Sequence, residues 1–311
     1  MKSRNLALHA GLLVLTFITV TFAGVQWLNK DPFELGSFTL GLTYGLLVIA
    51  FLTAHEMGHY IAARIHGVET TLPYFIPFPP FFGFMPFGTL GAVIRLRSEL
   101  RDRKTLFDVG SAGPISGFIV CIFVLFWGMT HLPSIEYLYN VHPEYRGMAQ
   151  LPSEGLTFGK PLLYKLMELL AAPSSAFLPP MNEVYHYPFL CVGWFGAFVT
   201  ALNLLPIGQL DGGHIAYAMF GSRSHHLSQL VLVVLMLLGT AGILPLLGVQ
   251  FAYGWAGWLM WSVVLALLLR NKRFRHPPIE DVQELGTTRE CIGWFCALIF
   301  ILSFTIVPVS P

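Results

Sequence analysis

Two histidines four residues apart bracket a glutamate in the run His55-Glu56-Met57-Gly58-His59. On an α-helix that spacing puts both imidazoles on one face, close enough to share a tetrahedral zinc ion. Glu56, beside the first imidazole, can take a proton from a water without being a ligand itself. The residues before the motif, Gly45 to Ala54, carry no charge, and neither do Tyr60 to Ala63 after it. Ionisable side chains in such a run are costly in hydrocarbon and point to function. The pattern also arises by chance, or as two histidines hydrogen-bonded across a helix interface. A metal site therefore predicts a third ligand, a His, Asp or Glu, in another apolar segment.

Asp211 meets that requirement. It is the only acidic residue between Val184 and Ile279, within Asn203-Leu204-Leu205-Pro206-Ile207-Gly208-Gln209-Leu210-Asp211-Gly212-Gly213-His214. A lone carboxylate at membrane depth is expensive, and a metal is its natural compensation. Two imidazoles and one carboxylate leave a fourth position open for water, the arrangement of catalytic rather than structural zinc. The ion would lower the pKa of that water and polarise a peptide carbonyl. Glu56 would take the proton and return it to the leaving amine.

The elements that must position these groups are membrane spans. The chain has 311 residues, 55% hydrophobic and 11% charged, against about 25% charged in an ordinary globular domain. An α-helical polytopic membrane protein of about seven transmembrane helices is expected. The spans are placed near 6–28, 38–65, 106–131, 188–220, 227–249, 251–269 and 291–307. The first is too long for a signal sequence. A net charge of +1 says nothing about acidic partners, and no basic patch with interleaved aromatics points to nucleic acid, so no nucleic-acid partner is expected. The four cysteines, Cys121, Cys191, Cys291 and Cys296, form no Cys-x-x-Cys pair and read as small buried apolar residues.

Residues 68–97 do not fit a span. Thr71 to Gly91 is uncharged but contains Pro73, Pro77, Pro79, Pro80 and Pro86, which rule out a regular helix. Gly88 to Arg97 reads as a strand. A re-entrant or interfacial loop with a small membrane-associated β element is expected against the metal site, because non-helical backbone at that depth must be covered. An unstructured loop on the membrane surface is the alternative. The 132–186 insert predicts one helix, Pro161 to Ala172, and no separate module. Gly113 and Gly117 should let another backbone approach span three. His225 and His226 read as solvated loop residues. Three regions result: 1–37, a catalytic membrane core over 38–220, and 221–311 with a cytosolic segment 270–290.

With the N-terminus inside, the inner loops hold fourteen Lys and Arg and the outer ones four, Lys30, Arg146, Lys160 and Lys165. This bias places His55, His59 and Asp211 toward the cytoplasmic face. The absence of a transit-type leader suggests a bacterial cytoplasmic membrane.

The motif pair, with Gly113-Pro114 and Gly117 between its halves, resembles the site-2 protease family of intramembrane zinc metalloproteases. The likeness covers three core spans, about 38–220, without a recognisable PDZ domain. Gly88-Thr89-Leu90-Gly91-Ala92 and His276-Pro277-Pro278 resemble a subgroup with bacterial members and chloroplast relatives. The resemblance implies a zinc endopeptidase that cuts a single-span membrane substrate in regulated intramembrane proteolysis. It implies His55, His59 and Asp211 as ligands of one zinc ion, Glu56 as catalytic base, and Asn203 as a polar group for substrate or oxyanion. His214 would support a ligand rather than bind the metal. A catalytically silent scaffold or a zinc-dependent transporter is the competing reading. A silent relative should lack Glu56 or a ligand, and a transporter should string polar residues along several spans. The strand near Gly88 to Leu96 offers an edge on which an unwound substrate could add.

Overall fold

The computed structural model describes residues 3–34, 36–79, 87–98, 100, 102–249, 251, 253–269, 279 and 283–310. Pro80, Pro86 and the His276-Pro277-Pro278 run lie outside the described residues, as does most of 270–282. The described chain is mainly helical, a polytopic membrane protein with two small sheets. In order it forms α1 (Ser3–Gln26), α2 (Leu42–Ile65), β1 (Tyr74–Pro77), β2 (Thr89–Val93), α3 (Arg103–Thr130), α4 (Glu136–Val141), β3 (Thr157–Phe158) and α5 (Leu162–Ala171). It continues with α6 (Pro188–Asn203), α7 (Asp211–Phe220), α8 (Ser224–Ala241), α9 (Ala256–Leu269), α10 (Thr287–Ser303) and β4 (Val309–Ser310).

Among the described residues, four helical stretches are long and apolar enough to cross a membrane: Asn5–Gln26, Phe38–Ile65, Arg103–Thr130 and Asp211–Ala241. The last is bent. Gly221 sits at φ +58°, and beyond it the Ser228 hydroxyl donates to the Pro206 carbonyl at 2.6 Å, so α8 returns beside the loop that precedes α7. The span expected over 188–220 is not one helix. α6 ends at Asn203, and seven residues pass before α7 begins at Asp211. Pro206 cannot donate a helical hydrogen bond, which makes the break complete.

α3 is the central strut. The Asp102 side chain caps its start by accepting from the Thr105 N–H at 2.7 Å. Burial pushes that carboxyl up, but the Thr105 hydroxyl and N–H outweigh it and hold it below the usual carboxylate range. α2 packs along one side of α3 and α6 along another. Arg103 donates to the Ala218 and Met219 carbonyls, tying the end of α7 to the start of α3. In lipid, apolar burial does not drive helices together, so close packing and such bonds must.

The proline-rich loop is ordered where it is described. Its second half is the expected strand, β2, and its first half supplies β1, which the prolines concealed. The two pair antiparallel, Tyr74 with Val93 and Phe75 with Ala92, and the register shifts before Pro77 meets Thr89. The hairpin lies against α1, where His9 Nδ1 meets the Pro73 carbonyl at 3.0 Å. The helix expected over 161–172 is α5. The insert also adds α4 and β3, which pairs with β4. It shares the main core, where Phe158 stacks on Trp194 at 4.2 Å between ring centroids. Two smaller expectations need correction. Cys291 is exposed, unlike the other three cysteines, because it lies on the outer face of α10. His225 and His226 both lie on the first turn of α8, not in a loop, and the His225 ring packs against Tyr217.

Candidate metal centre

α2 carries His55, Glu56 and His59 as buried residues in the second half of an apolar helix. The helical repeat brings the two Nε2 atoms to 3.2 Å from each other. Asp211, the first residue of α7, completes a triangle: its Oδ2 lies 3.3 Å from His55 Nε2 and 3.3 Å from His59 Nε2. Two imidazoles 156 and 152 positions upstream thus meet a carboxylate at the break between α6 and α7. Edges of that length suit three corners of a tetrahedral ion with nitrogen and oxygen ligands near 2.0–2.2 Å.

The tautomer supports the same reading. His59 Nδ1–H donates to the Val109 carbonyl at 2.7 Å, so its Nε2 holds the lone pair toward His55 and Asp211. Fixing one ring nitrogen by a carbonyl is how a protein orients a metal-binding imidazole. Without an ion, an unprotonated Nε2, a second imidazole nitrogen and a carboxylate oxygen would crowd one another with no cation between them. The residues present therefore fit a divalent ion.

Two glycines make this geometry possible. A Cβ at Gly113 would fall inside the ring of His59. One at Gly117 would stand 3.2 Å from His55 Nδ1. The small face of α3 thus receives two imidazole rings, where the sequence suggested only another backbone. At Gly212 a Cβ would collide with the Leu204 carbonyl, so the first turn of α7 tucks under the loop that leaves α6 only because no side chain is there.

Glu56 is anchored rather than coordinated. Its Oε2 accepts the Ile94 N–H at 2.9 Å, just past the end of β2. Asn203, at the last turn of α6, holds its Nδ2 3.2 Å from His55 Nε2. His214 follows Asp211 by one turn and lines the same cavity of about 290 Å³, with Glu56, Ala92, Ile94 and Asn203. Every site residue named from the sequence lies around this one cavity.

Sequence reasoning missed the groups that hold the site from behind. The Val109 and Ile94 contacts are made by backbone, which no side-chain pattern announces. Asp108, next to Val109, accepts from Arg289 Nε and Nη2 at 2.8 Å each and meets His66 Nε2 at 2.8 Å. That network joins α2, α3 and α10. The one available signal was Asp108 itself, an acid carried past the charged Arg101–Lys104 run into the start of an apolar span.

Comparison with known proteins agrees with this geometry. The model of Peptidase family M50 matches residues 43–246. The probable zinc metalloprotease EGY1, chloroplastic, of Arabidopsis thaliana is 30% identical over 270 residues, 87% of this chain and 43% of that protein. The probable zinc metalloprotease EGY2, chloroplastic, of Oryza sativa subsp. indica is 30% identical over 194 residues, 62% of this chain and 32% of that protein. The chain thus spans less than half the length of these relatives. They are plant proteins named as chloroplastic and lend no support to a bacterial membrane. No solved structure matches the chain significantly. The matched region runs from α2 to the loop beyond α8 and contains all six site residues named from the sequence, and on that match the chain belongs to Peptidase family M50.

Proposed function

We propose that this chain is an intramembrane zinc endopeptidase that hydrolyses a peptide bond in or near the transmembrane helix of a single-span membrane protein, in regulated intramembrane proteolysis. The observation that carries the reading is the convergence of His55 Nε2, His59 Nε2 and Asp211 Oδ2 beside an anchored Glu56. His55, His59 and Asp211 hold one zinc ion. When bound, zinc supplies Lewis acidity to a carbonyl oxygen and lowers the pKa of a water. Glu56 is the base. The Ile94 N–H fixes one of its oxygens, and the other takes a proton from water and delivers it to the leaving amine. The carboxylate need not move between the two transfers. By the Lys and Arg bias, the N-terminus and this centre face the cytoplasmic side of the membrane.

A transmembrane helix hides its peptide bonds, so the substrate must be extended before it reacts. The outer edge of β2 is suited to hold it. Arg95 and Arg97 bond toward the β1 side, through the Arg95 carbonyl to the Thr71 N–H at 3.1 Å and the Arg97 N–H to the Glu69 carbonyl at 2.8 Å. By alternation, the backbone groups of Ala92 and Ile94 face the other way, and the Ile94 N–H indeed reaches Glu56. A strand added there runs past the proposed base. Proline at Ala92 removes an edge donor and should lower cleavage of a co-expressed single-span substrate at least about 10-fold, with zinc content unchanged. Unaltered cleavage would sink the edge-binding idea while leaving the metal site standing.

Asn203 is placed to bind the substrate carbonyl as charge develops on it. Replacing it with Ala should cost on the order of 10²-fold in cleavage at retained zinc, the usual effect of losing one such donor. Loss of zinc instead would show that its task is to hold His55. His214 supports the centre from the next turn of α7.

A further inference from the structure

A second cluster of ligand-type side chains lies at the other end of the helices. His142, Glu183 and His186 offer one donor atom each, all within 4.8 Å of one another. His142 Nε2 lies 3.0 Å from His186 Nε2, and Glu183 Oε2 lies 3.3 Å from His186 Nε2 and 3.9 Å from His142 Nε2. Two of these edges match those of the His55–His59–Asp211 triangle. The cluster follows the far end of α3. Val109 to Thr130 is 22 residues, roughly 30 Å of helix, so the two groups sit at opposite ends of the bundle.

Local sequence builds it. Pro143 opens a short 3-10 turn just after α4, and His142 sits at the junction in a non-helical conformation (φ −127°, ψ 78°). Glu183 precedes and His186 ends another 3-10 turn, in which residues three apart stand side by side. Pro188 then starts α6.

The tautomers decide what the cluster can do. His186 Nδ1–H donates to the Trp27 carbonyl. His142 Nδ1–H donates to the Glu144 carboxylate at 2.9 Å. Both Nε2 atoms therefore carry lone pairs, and they face each other. Glu183 Oε1 accepts the Tyr145 hydroxyl at 3.0 Å, while Oε2 is buried with no hydrogen-bond donor. Glu183 is only 2% exposed and His186 is fully buried. Three acceptors aimed at one point, one of them an unpartnered buried carboxylate oxygen, need a cation between them. Asn29, held at φ +55° in the link after α1, brings its Nδ2 to 3.1 Å from His142 Nε2. Turned over, that amide presents an oxygen as a fourth donor.

We propose that His142, Glu183 and His186 form a second metal site, taking a divalent transition ion of the zinc class, which pins the 132–186 insert to the link between α1 and α2 on the face away from the catalytic centre. The donor set of two imidazoles and a carboxylate suits zinc, and the carboxylate–imidazole contact of Glu144 with His142 raises ligand basicity. With the Asn29 amide turned to present its oxygen, four protein donors would close the coordination shell, as in a structural site. A chain with both sites carries two ions.

Zinc content of the full chain in detergent tests this without reference to peptidase activity. The wild type should bind two equivalents, and the His55→Gln/His59→Gln chain one. Adding His142→Gln, at a half-buried position, should remove that last equivalent. Cobalt in the double variant should give the visible bands of a tetrahedral site, again lost with His142→Gln. Glu144→Gln, at an exposed residue outside the core, should weaken the remaining site about 10–100-fold. A double variant that binds no zinc overturns the proposal. So does one whose equivalent survives His142→Gln, or whose affinity ignores Glu144→Gln.

Discussion

Replacing Glu56 with Gln should abolish cleavage of a co-expressed single-span substrate and leave zinc in place. Gln is nearly isosteric, and its amide oxygen can still accept the Ile94 N–H that Glu56 Oε2 accepts at 2.9 Å. The hairpin stays docked and the three ligands are untouched. What disappears is a group able to take a proton and give it back. General acid–base catalysis contributes about 10²–10⁴-fold, and here one carboxylate serves both transfers, so a loss at or beyond the upper figure is expected. The ratio of cut to uncut substrate on a gel, with zinc measured on the same purified chain, is the check. Cleavage within about tenfold of the wild type would remove Glu56 from the mechanism. Zinc lost along with activity would make Glu56 a structural element of the centre. A silent scaffold would show no difference between the two chains.

That experiment rests on residues legible in the sequence, and the reason is physical. A His-x-x-x-His pair on a helix is local, so its geometry follows from the helical repeat alone. Asp211 was legible for the opposite reason: a lone carboxylate in nearly a hundred residues without another acid needs a partner. The β element was half legible. Alternation after Gly88 gave β2, but Pro73, Pro77 and Pro79 disguised β1, because an edge strand tolerates proline where a central one does not. The supports were not legible. Val109 and Ile94 act through backbone atoms, and which carbonyl meets His59 depends on how α3 crosses α2. The completeness of the break at 204–210 was also out of reach. Pro206 predicts a disturbance, but only the fold shows that α7 starts afresh at Asp211. The His142–Glu183–His186 group was invisible in the same way, since His142 and His186 lie 44 residues apart in a segment without periodicity.

The tightest structural demand on the centre falls on a residue that touches no substrate. Gly113→Ala should weaken zinc binding in a chain that otherwise folds. A methyl group there would occupy the space of the His59 ring, and that ring cannot retreat without giving up either the 2.7 Å bond to the Val109 carbonyl or its place opposite Asp211. Overpacking of this kind costs about 1–3 kcal/mol. If the strain is relieved by displacing His59, it comes out of metal affinity, a weakening of roughly 10–100-fold. The sign separates this from a general helix effect. Alanine in place of glycine favours a helix by about 0.8–1.0 kcal/mol, so a substitution without a clash should raise stability. Gly11→Ala on α1, where nothing stands within 4 Å of the new atom, is the matched control. Chelator competition on both chains, beside their thermal midpoints, gives the comparison. Gly113→Ala should lose affinity for the catalytic zinc while Gly11→Ala keeps it, and equal affinities would mean that α3 does not press on His59 and that some other contact sets the spacing of the ligands.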